Sequence, residues 1–178
     1  MITNKELADL IFPNITKTVE DYEKMYPKRN LPEGAIVTRY APSPTGYIHI
    51  GALYQSFVSQ AFARQTKGVM FLRIEDTDTK RTIENGIHKI IDGLKEYNVE
   101  FDEGPIDDEN QKGAYGPYIQ SERKDIYQAF VKHLIENGLA YPCFCTPEEL
   151  ENMRQKQEKV KARIGYFGPW ATCRNLSN

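Results

Sequence analysis

The stretch from Ala35 to Gly51 reads Ala-Ile-Val-Thr-Arg-Tyr-Ala-Pro-Ser-Pro-Thr-Gly-Tyr-Ile-His-Ile-Gly. No other segment restricts the fold as much. Its β-branched start, Ala35–Thr38, predicts a buried strand. Pro42, Pro44 and Gly46 then impose a turn. His49-Ile-Gly51 opens an amphipathic helix. A strand end, a tight turn and a helix N-terminus in that order form an anion-binding layout, because the first N–H groups of a helix have no partner inside it. Gly51 lets a ligand approach the backbone, and His49 adds a donor beside it.

The helix is predicted over residues 50–65, with Leu53, Phe57, Ala61 and Arg64 as a stripe facing a sheet. Gly68 is placed to end it as a C-cap. Val69–Ile74 is nearly all apolar, as a parallel strand covered on both faces should be. Strand, helix and strand together make a βαβ unit. A second helix is expected from Thr82 to Tyr97, where isoleucines and Leu94 keep helical spacing. Val99–Phe101 reads as a short third strand, and Asp102–Glu109 as an acidic loop. Ser121 reads as the cap of a further helix that ends at Asn137-Gly138. Leu139–Phe144 reads as extended. Thr146-Pro-Glu-Glu149 combines a capping Thr, Pro at the first helical position and early acids, so a charged helix starts there and runs to about Ala162. Gly165–Trp170 reads as a loop. Residues 1–34 read as an N-terminal extension with a short helix over Asn4–Phe12, apolar at Leu7, Leu10 and Ile11.

Composition sets outer limits. The chain has 178 residues, 40% hydrophobic and 27% charged, with a net charge of −2. This excludes a disordered chain and gives no global electrostatic footprint for nucleic acid. No apolar run reaches membrane-spanning length, and the N-terminus lacks the pattern of a secretion signal, so the expected location is cytoplasmic, with no membrane partner. Cys143, Cys145 and Cys173 are an odd, clustered set, which argues against a disulfide framework and leaves a metal site or buried thiols.

A second motif, Leu72-Arg-Ile-Glu-Asp-Thr-Asp78, follows the first at the second strand's end. Together the two motifs resemble the signatures of the class I aminoacyl-tRNA synthetases, in particular the bacterial-type glutamyl-tRNA synthetases. The Tyr115-Gly-Pro-Tyr118 and Gln120-Ser-Glu-Arg123 runs also recur in that family. The resemblance covers residues 35–150 and implies an α/β, Rossmann-like parallel sheet, the first half of a class I catalytic domain, with the start of an insertion domain. Residues 1–34 would then be an extension, 35–140 the catalytic half-domain and 141–178 the start of the insertion that meets the tRNA acceptor. The family's second signature, a Lys-Met-Ser-Lys-Ser-like run, does not occur here. The chain therefore reads as the N-terminal piece of a longer synthetase, without activity when isolated.

The reaction so implied joins glutamate to tRNA through a glutamyl-adenylate. By resemblance His49 and Gly51 are catalytic residues of the ATP signature, and Thr45 and Gly46 share in binding ATP. The signature's fourth position is Ala52 here, where many members carry His. Arg39 would bind the side-chain carboxylate of the substrate glutamate, which a guanidinium grips in bidentate fashion. Ala41 and Ser43 would line the amino-acid pocket, and Glu75 would pair with the substrate's ammonium. Asp78 reads as a cap for the helix beginning near Thr79–Thr82. Arg123 and Lys124 are candidates for tRNA phosphates or ordinary surface charge. ATP and Mg2+ are the expected cofactors. Zinc is a candidate at Cys143, Cys145 and Cys173. The fourth ligand is open: Asn175 is a poor one, and Tyr141 and Tyr166 remain. The partners are L-glutamate and tRNA(Glu), with tRNA(Gln) left open, and the protein is expected to be a monomer. Rival readings are glutamyl transfer to a modified tRNA base, a non-catalytic nucleotide-binding module, and a small-molecule adenylyltransferase.

Overall fold

The computed structural model describes residues 2–46, 48–78 and 83–176. It divides into two units, residues 20–127 and residues 1–19 with 128–178. No helix among the described residues is long and apolar enough to cross a membrane.

The larger unit is built on a parallel pair of strands, β1 (Val37–Tyr40) and β2 (Val69–Leu72), in the register Val37 with Val69 through Tyr40 with Leu72. The crossover is α3 (Ile50–Gln65), so the βαβ unit forms as expected. Strand β1 begins two residues later than the sequence suggests. The reason is the Gly34 turn: Ala35 N–H is still bonded to Pro32 O, so the chain is not yet extended. Nor is β1 buried throughout. Val37 is 42% exposed while Tyr40 is 3% exposed, because alternate residues point to opposite faces. The other edge of β2 continues the parallel arrangement through single bridges, Phe71 with Glu103 and Ile74 with Ile119. The third parallel segment thus sits at Asp102–Glu103, just past the Val99–Phe101 run. A small antiparallel pair, β3 (Gly104–Pro105) with β4 (Gln111–Lys112), folds the acidic loop back on itself.

The core lies on one face of the strands. Tyr40, Met70, Leu72 and Ile74 meet Ala63 of α3, and Ile90 and Leu94 of α4 (Gly86–Glu96). Each such buried aliphatic side chain contributes about 1.5–3 kcal/mol of transfer free energy. The stripe predicted for α3 is corrected here. Leu53 is buried, but Phe57, Ala61 and Arg64 are exposed, and the inward positions are Ser56 and Ala63. Small residues face the strands, the Ser56 hydroxyl donates to Leu53 O, and Arg64 turns outward to Asp102.

The end of α3 is also instructive. Lys67, not Gly68, takes the left-handed conformation, and Gly68 N–H closes the helix on Ala63 O at 2.7 Å. Gly68 is needed for space, since a Cβ there would lie 1.9 Å from Ile36 O. Helix α4 starts at Gly86, later than Thr82; residues 79–82 lie outside those described. Gly86 is in contact with Pro44, and Ile83 N–H donates to Pro44 O, which ties the entry of α4 to the turn after β1.

Outside the strands, α2 (Val19–Met25), which the sequence reading missed, precedes a segment anchored by Arg29. Both Arg29 NH groups meet the Glu103 carboxylate, at 2.5 and 2.6 Å, and the Tyr118 hydroxyl donates to the same carboxylate at 2.6 Å. The Arg29 hydrogen bonds hold Glu103 below the usual carboxylate range, while burial, with Glu103 beside it, pushes Tyr118 up to about 12.

In the smaller unit, α1 (Asn4–Ile11) is closed by a capping box of Thr3 and Glu6. It buries Ala8 and leaves Leu10 72% exposed, so the expected apolar face is only partly inward. Helix α5 (Lys124–Glu136), whose first turn belongs to the larger unit, ends just before Asn137-Gly138 as expected, with Gly138 left-handed, and α6 (Pro147–Lys159) begins with the Thr146–Glu149 capping box. It ends at Lys159, short of Ala162. Residues 140–146 are irregular, and the tail forms 3₁₀ turns at Gly168–Trp170 and Thr172–Asn175.

Gly68→Ala is expected to destabilise the fold by about 2 kcal/mol or more, since backbone cannot retreat from the added methyl. Gly46→Ala, where a Cβ meets nothing within 4 Å, is expected to cost much less. Denaturant midpoints of the two variants decide this; equal midpoints would contradict the close-approach account.

Candidate functional site

The carboxyl ends of parallel strands are where open α/β sheets collect ligands. Both motifs end up there. After Tyr40 the chain turns through Pro42, Ser43 and Pro44, and Thr45 N–H bonds back to Ser43 O. A cavity of about 570 Å3 opens between this turn and the start of α3. That lies within the usual size range of small-ligand sites. Its walls include Ala41, Ser43, Thr45, Gly46, His49 and Gly51, all singled out by the sequence. Tyr40, Ile48, Gln55 and Ile90 line it as well and were not foreseen. Gln55 had a readable signal, standing one turn after Gly51 and so on the same helix face.

His49 is the N-cap of α3, and its Nδ1 accepts the Ala52 N–H at 3.2 Å. A nitrogen that accepts cannot carry the proton, so in the neutral ring the proton sits on Nε2. The cap therefore leaves Nε2–H as an outward donor. Gly51 has a first role in this: a Cβ there would stand 3.2 and 3.3 Å from the imidazole ring.

Arg39 and Glu75 do not line this cavity but meet each other at the adjoining strand ends. Glu75 Oε1 accepts from Arg73 at 2.9 Å and from Arg39 at 3.3 Å. The first is a normal contact; the second is long and exposed, and so weak. Arg73 was missed by the sequence reading, although two residues before Glu75 on an extended chain is the same face. The backbone of Glu75 is bonded to Pro42 O at 2.9 Å, which joins the two motifs directly.

Asp76, the residue after Glu75, makes a long-range contact. Its carboxylate accepts the Ser121 N–H at 2.9 Å and the Ser121 hydroxyl at 2.5 Å. Ser121 in turn spends its hydroxyl on Asp76 and does not cap its own helix as expected. The cap expected of Asp78 falls on residues 79–82, which lie outside those described. Arg123 donates to Pro117 O at 2.7 Å, so its guanidinium braces the 115–117 loop.

A second cluster lies in the smaller unit. The three cysteine sulfurs lie within 4.8 Å of one another, with Cys145 and Cys173 3.5 Å apart. Tyr166 completes the group. Its oxygen is 3.5 Å from Cys145 Sγ and accepts Cys173 N–H at 3.1 Å. The Tyr166 hydroxyl and the Phe144 N–H lower the Cys173 thiol to about 7, and the facing thiols, Cys143 first, push Tyr166 up. Tetrahedral zinc with metal–sulfur bonds near 2.3 Å places sulfurs about 3.8 Å apart, so the spacing suits that ion.

Residues 35–175 match the family model of the class I tRNA synthetases (E and Q), catalytic domain. A glutamate–tRNA ligase of Acetivibrio thermocellus is 53% identical over 174 residues, covering 97% of this chain and 32% of that protein. One from Clostridium perfringens (strain 13 / Type A) is also 53% identical, with the same coverage. The chain thus spans about a third of the length of the curated relatives it matches. Among solved structures, a glutamate-tRNA synthetase from Elizabethkingia anophelis superposes with a TM-score of 0.65 at 36% identity, over 74% of this chain and 26% of that one. A glutamate tRNA ligase from Elizabethkingia meningosepticum, in complex with its amino acid, gives 0.63 at 37% identity, over 74% and 25%.

The cap geometry predicts that neutral His49 is the Nε2–H tautomer, readable from its ring nitrogen shifts. Gly51→Ala crowds the ring and is expected to mix the tautomers. A predominant Nδ1–H form in the unsubstituted protein would contradict the cap.

Proposed function

This chain belongs to the family of the class I tRNA synthetase (E and Q) catalytic domains, and we propose that it carries the ATP- and glutamate-binding half of an enzyme that ligates L-glutamate to tRNA(Glu). The observation that carries the reading is the joint placement of both motifs at one end of the parallel strands. The cavity walled by Ser43, Thr45, Gly46, His49 and Gly51 stands beside the Arg39–Glu75 pair.

In the proposed reaction the α-carboxylate of glutamate attacks the α-phosphorus of ATP, an O–P bond forms, and pyrophosphate leaves. This chain's part is positioning and charge stabilisation. The leading N–H groups of α3 and the Nε2–H of His49 are placed to meet phosphate oxygens as charge builds there. Gly46 and Thr45 form the turn over the nucleotide. Mg2+ would accompany ATP, held mainly by phosphates and water. For the amino acid, the weaker of Glu75's two contacts is the one to Arg39. Arg39 is thus free to turn to the substrate's side-chain carboxylate while Arg73 keeps Glu75 in place for the ammonium. Ala41 and Ser43 leave room and a hydroxyl between them. The relatives matched are glutamate–tRNA ligases, which supports ligation over glutamyl transfer to a base.

The reading includes a structural zinc held by Cys143, Cys145 and Cys173, with Tyr166 Oη as the fourth ligand, in the 141–178 segment that would meet the tRNA acceptor. It also includes a monomer in the cytoplasm, where free thiols such as these persist.

Calorimetric titration with L-glutamate and with ATP tests the site. Glu75→Ala and Arg39→Ala are expected to weaken glutamate binding by about tenfold or more, some 1.4 kcal/mol each, with ATP affinity retained. Glutamate binding indifferent to Glu75→Ala would favour a nucleotide-binding module instead. The purified chain is expected to hold about one zinc per molecule, and Cys173→Ser to lose it together with several degrees of thermal stability. Metal-free protein of undiminished stability would remove the zinc from the account.

A further inference from the structure

We propose that Asp76 is a positioning residue for the glutamate pocket: it latches Ser121 across the sheet and so fixes Glu75. The proposal rests on the reading of Glu75 given above and adds a residue that touches no substrate.

Ile74 is held by main-chain bonds, its N–H donating to Tyr118 O at 2.9 Å and its carbonyl accepting from Gln120 N–H at 2.9 Å. The next bond in that ladder would need an extended partner, but the chain at Ser121 has already entered a 3₁₀ turn, Ser121–Arg123. The Asp76 side chain replaces it, accepting both the N–H and the hydroxyl of Ser121, 45 residues away. Glu75 therefore sits between two anchors on one side, Ile74 and Asp76. On the other side its own N–H is fastened to Pro42 O.

The carboxylate of Glu75 needs this restraint. It lies on the exposed side of the strand end, with 31% of the side chain accessible, and two arginines pull on one oxygen. Without Asp76 the main chain just past Ile74 would keep, among the bonds of the described residues given above, the Glu75 N–H bond to Pro42 O, and Glu75 would gain freedom to shift when Arg39 turns away. A two-donor contact to a carboxylate is among the stronger hydrogen-bond arrangements available. Outer partners that orient metal ligands change affinity by about 10–100-fold, and the low end of that range is the scale expected for orienting Glu75.

The test combines two readouts on Asp76→Ala, Asp76→Asn, Ser121→Ala and the double variant Asp76→Ala/Ser121→Ala. The first is amide hydrogen exchange at Glu75 and Ser121, without ligand. Asp76→Ala is expected to speed exchange at both sites, and Asp76→Asn, which still accepts one of the two bonds, to restore most of the protection. The second is the dissociation constant for L-glutamate, beside that for ATP. Asp76→Ala is expected to weaken glutamate about tenfold and leave ATP within twofold. Ser121→Ala, which keeps its N–H, should weaken glutamate less, and the double variant should resemble Asp76→Ala alone, because both changes break one latch. Faster exchange at Ser121 with Glu75 unchanged would overturn the proposal. So would a double variant whose loss of glutamate affinity is the sum of a measurable Ser121→Ala loss and the Asp76→Ala loss, because independent effects exclude a shared latch. If the unsubstituted protein fails to bind glutamate, the functional reading fails, and the exchange data still decide whether Asp76 fixes Glu75.

Discussion

The segment Leu72–Asp76 is the member on which the site hangs, because it is bonded along both edges. On one edge Arg73 N–H meets Tyr40 O and Glu75 N–H meets Pro42 O. On the other, Leu72 N–H meets Glu103 O and Ile74 meets the 118–120 segment. Beneath it Leu72 and Ile74 are fully buried against α4. A strand end so held can present charged side chains with little freedom, which is what recognition of a small zwitterion requires. The turn after β1 inherits this order through Pro42 and through the fit of Gly86 against Pro44.

The electrostatics of the strand ends follow from the same alternation. Arg39, Arg73 and Glu75 share the face opposite the core, so two guanidiniums surround one carboxylate. The group carries an excess of one positive charge. An amino acid with an acidic side chain meets that excess with its own carboxylate, while its ammonium seeks Glu75. The phosphate side of the site relies on backbone and on His49, whose cap bond sets which nitrogen keeps its proton.

Much of this was legible in the sequence because it is local. The 35–51 motif, α3 to the residue, and the Thr146-Pro-Glu-Glu149 capping box depend on neighbours within four positions. The errors come from packing. Helix α3 is apolar on its outer side too, with Tyr54, Phe57, Val58 and Phe62 exposed, so periodicity alone could not tell which face meets the strands. The small residues Ser56 and Ala63 were the better clue. Gly68 looked like a helix cap because its second constraint, the Ile36 carbonyl, is 32 residues back in the chain. The partner of Asp76 was not legible because Ser121 is 45 residues away, and Tyr166, one of two tyrosines left open beside the cysteines, is singled out over Tyr141 by its 3.5 Å approach to Cys145 Sγ. The residues that the sequence names for ATP and glutamate do gather at one end of the strands; their roles toward ligand remain the proposal.

The most direct measurement is ATP titration of isotope-labelled chain with amide shifts as the readout. The account predicts saturable shifts at Ser43, Gly46, His49, Gly51 and Gln55, with the cysteine cluster unmoved. Saturable binding that shifts amides elsewhere and leaves the turn and the start of α3 unchanged would contradict it.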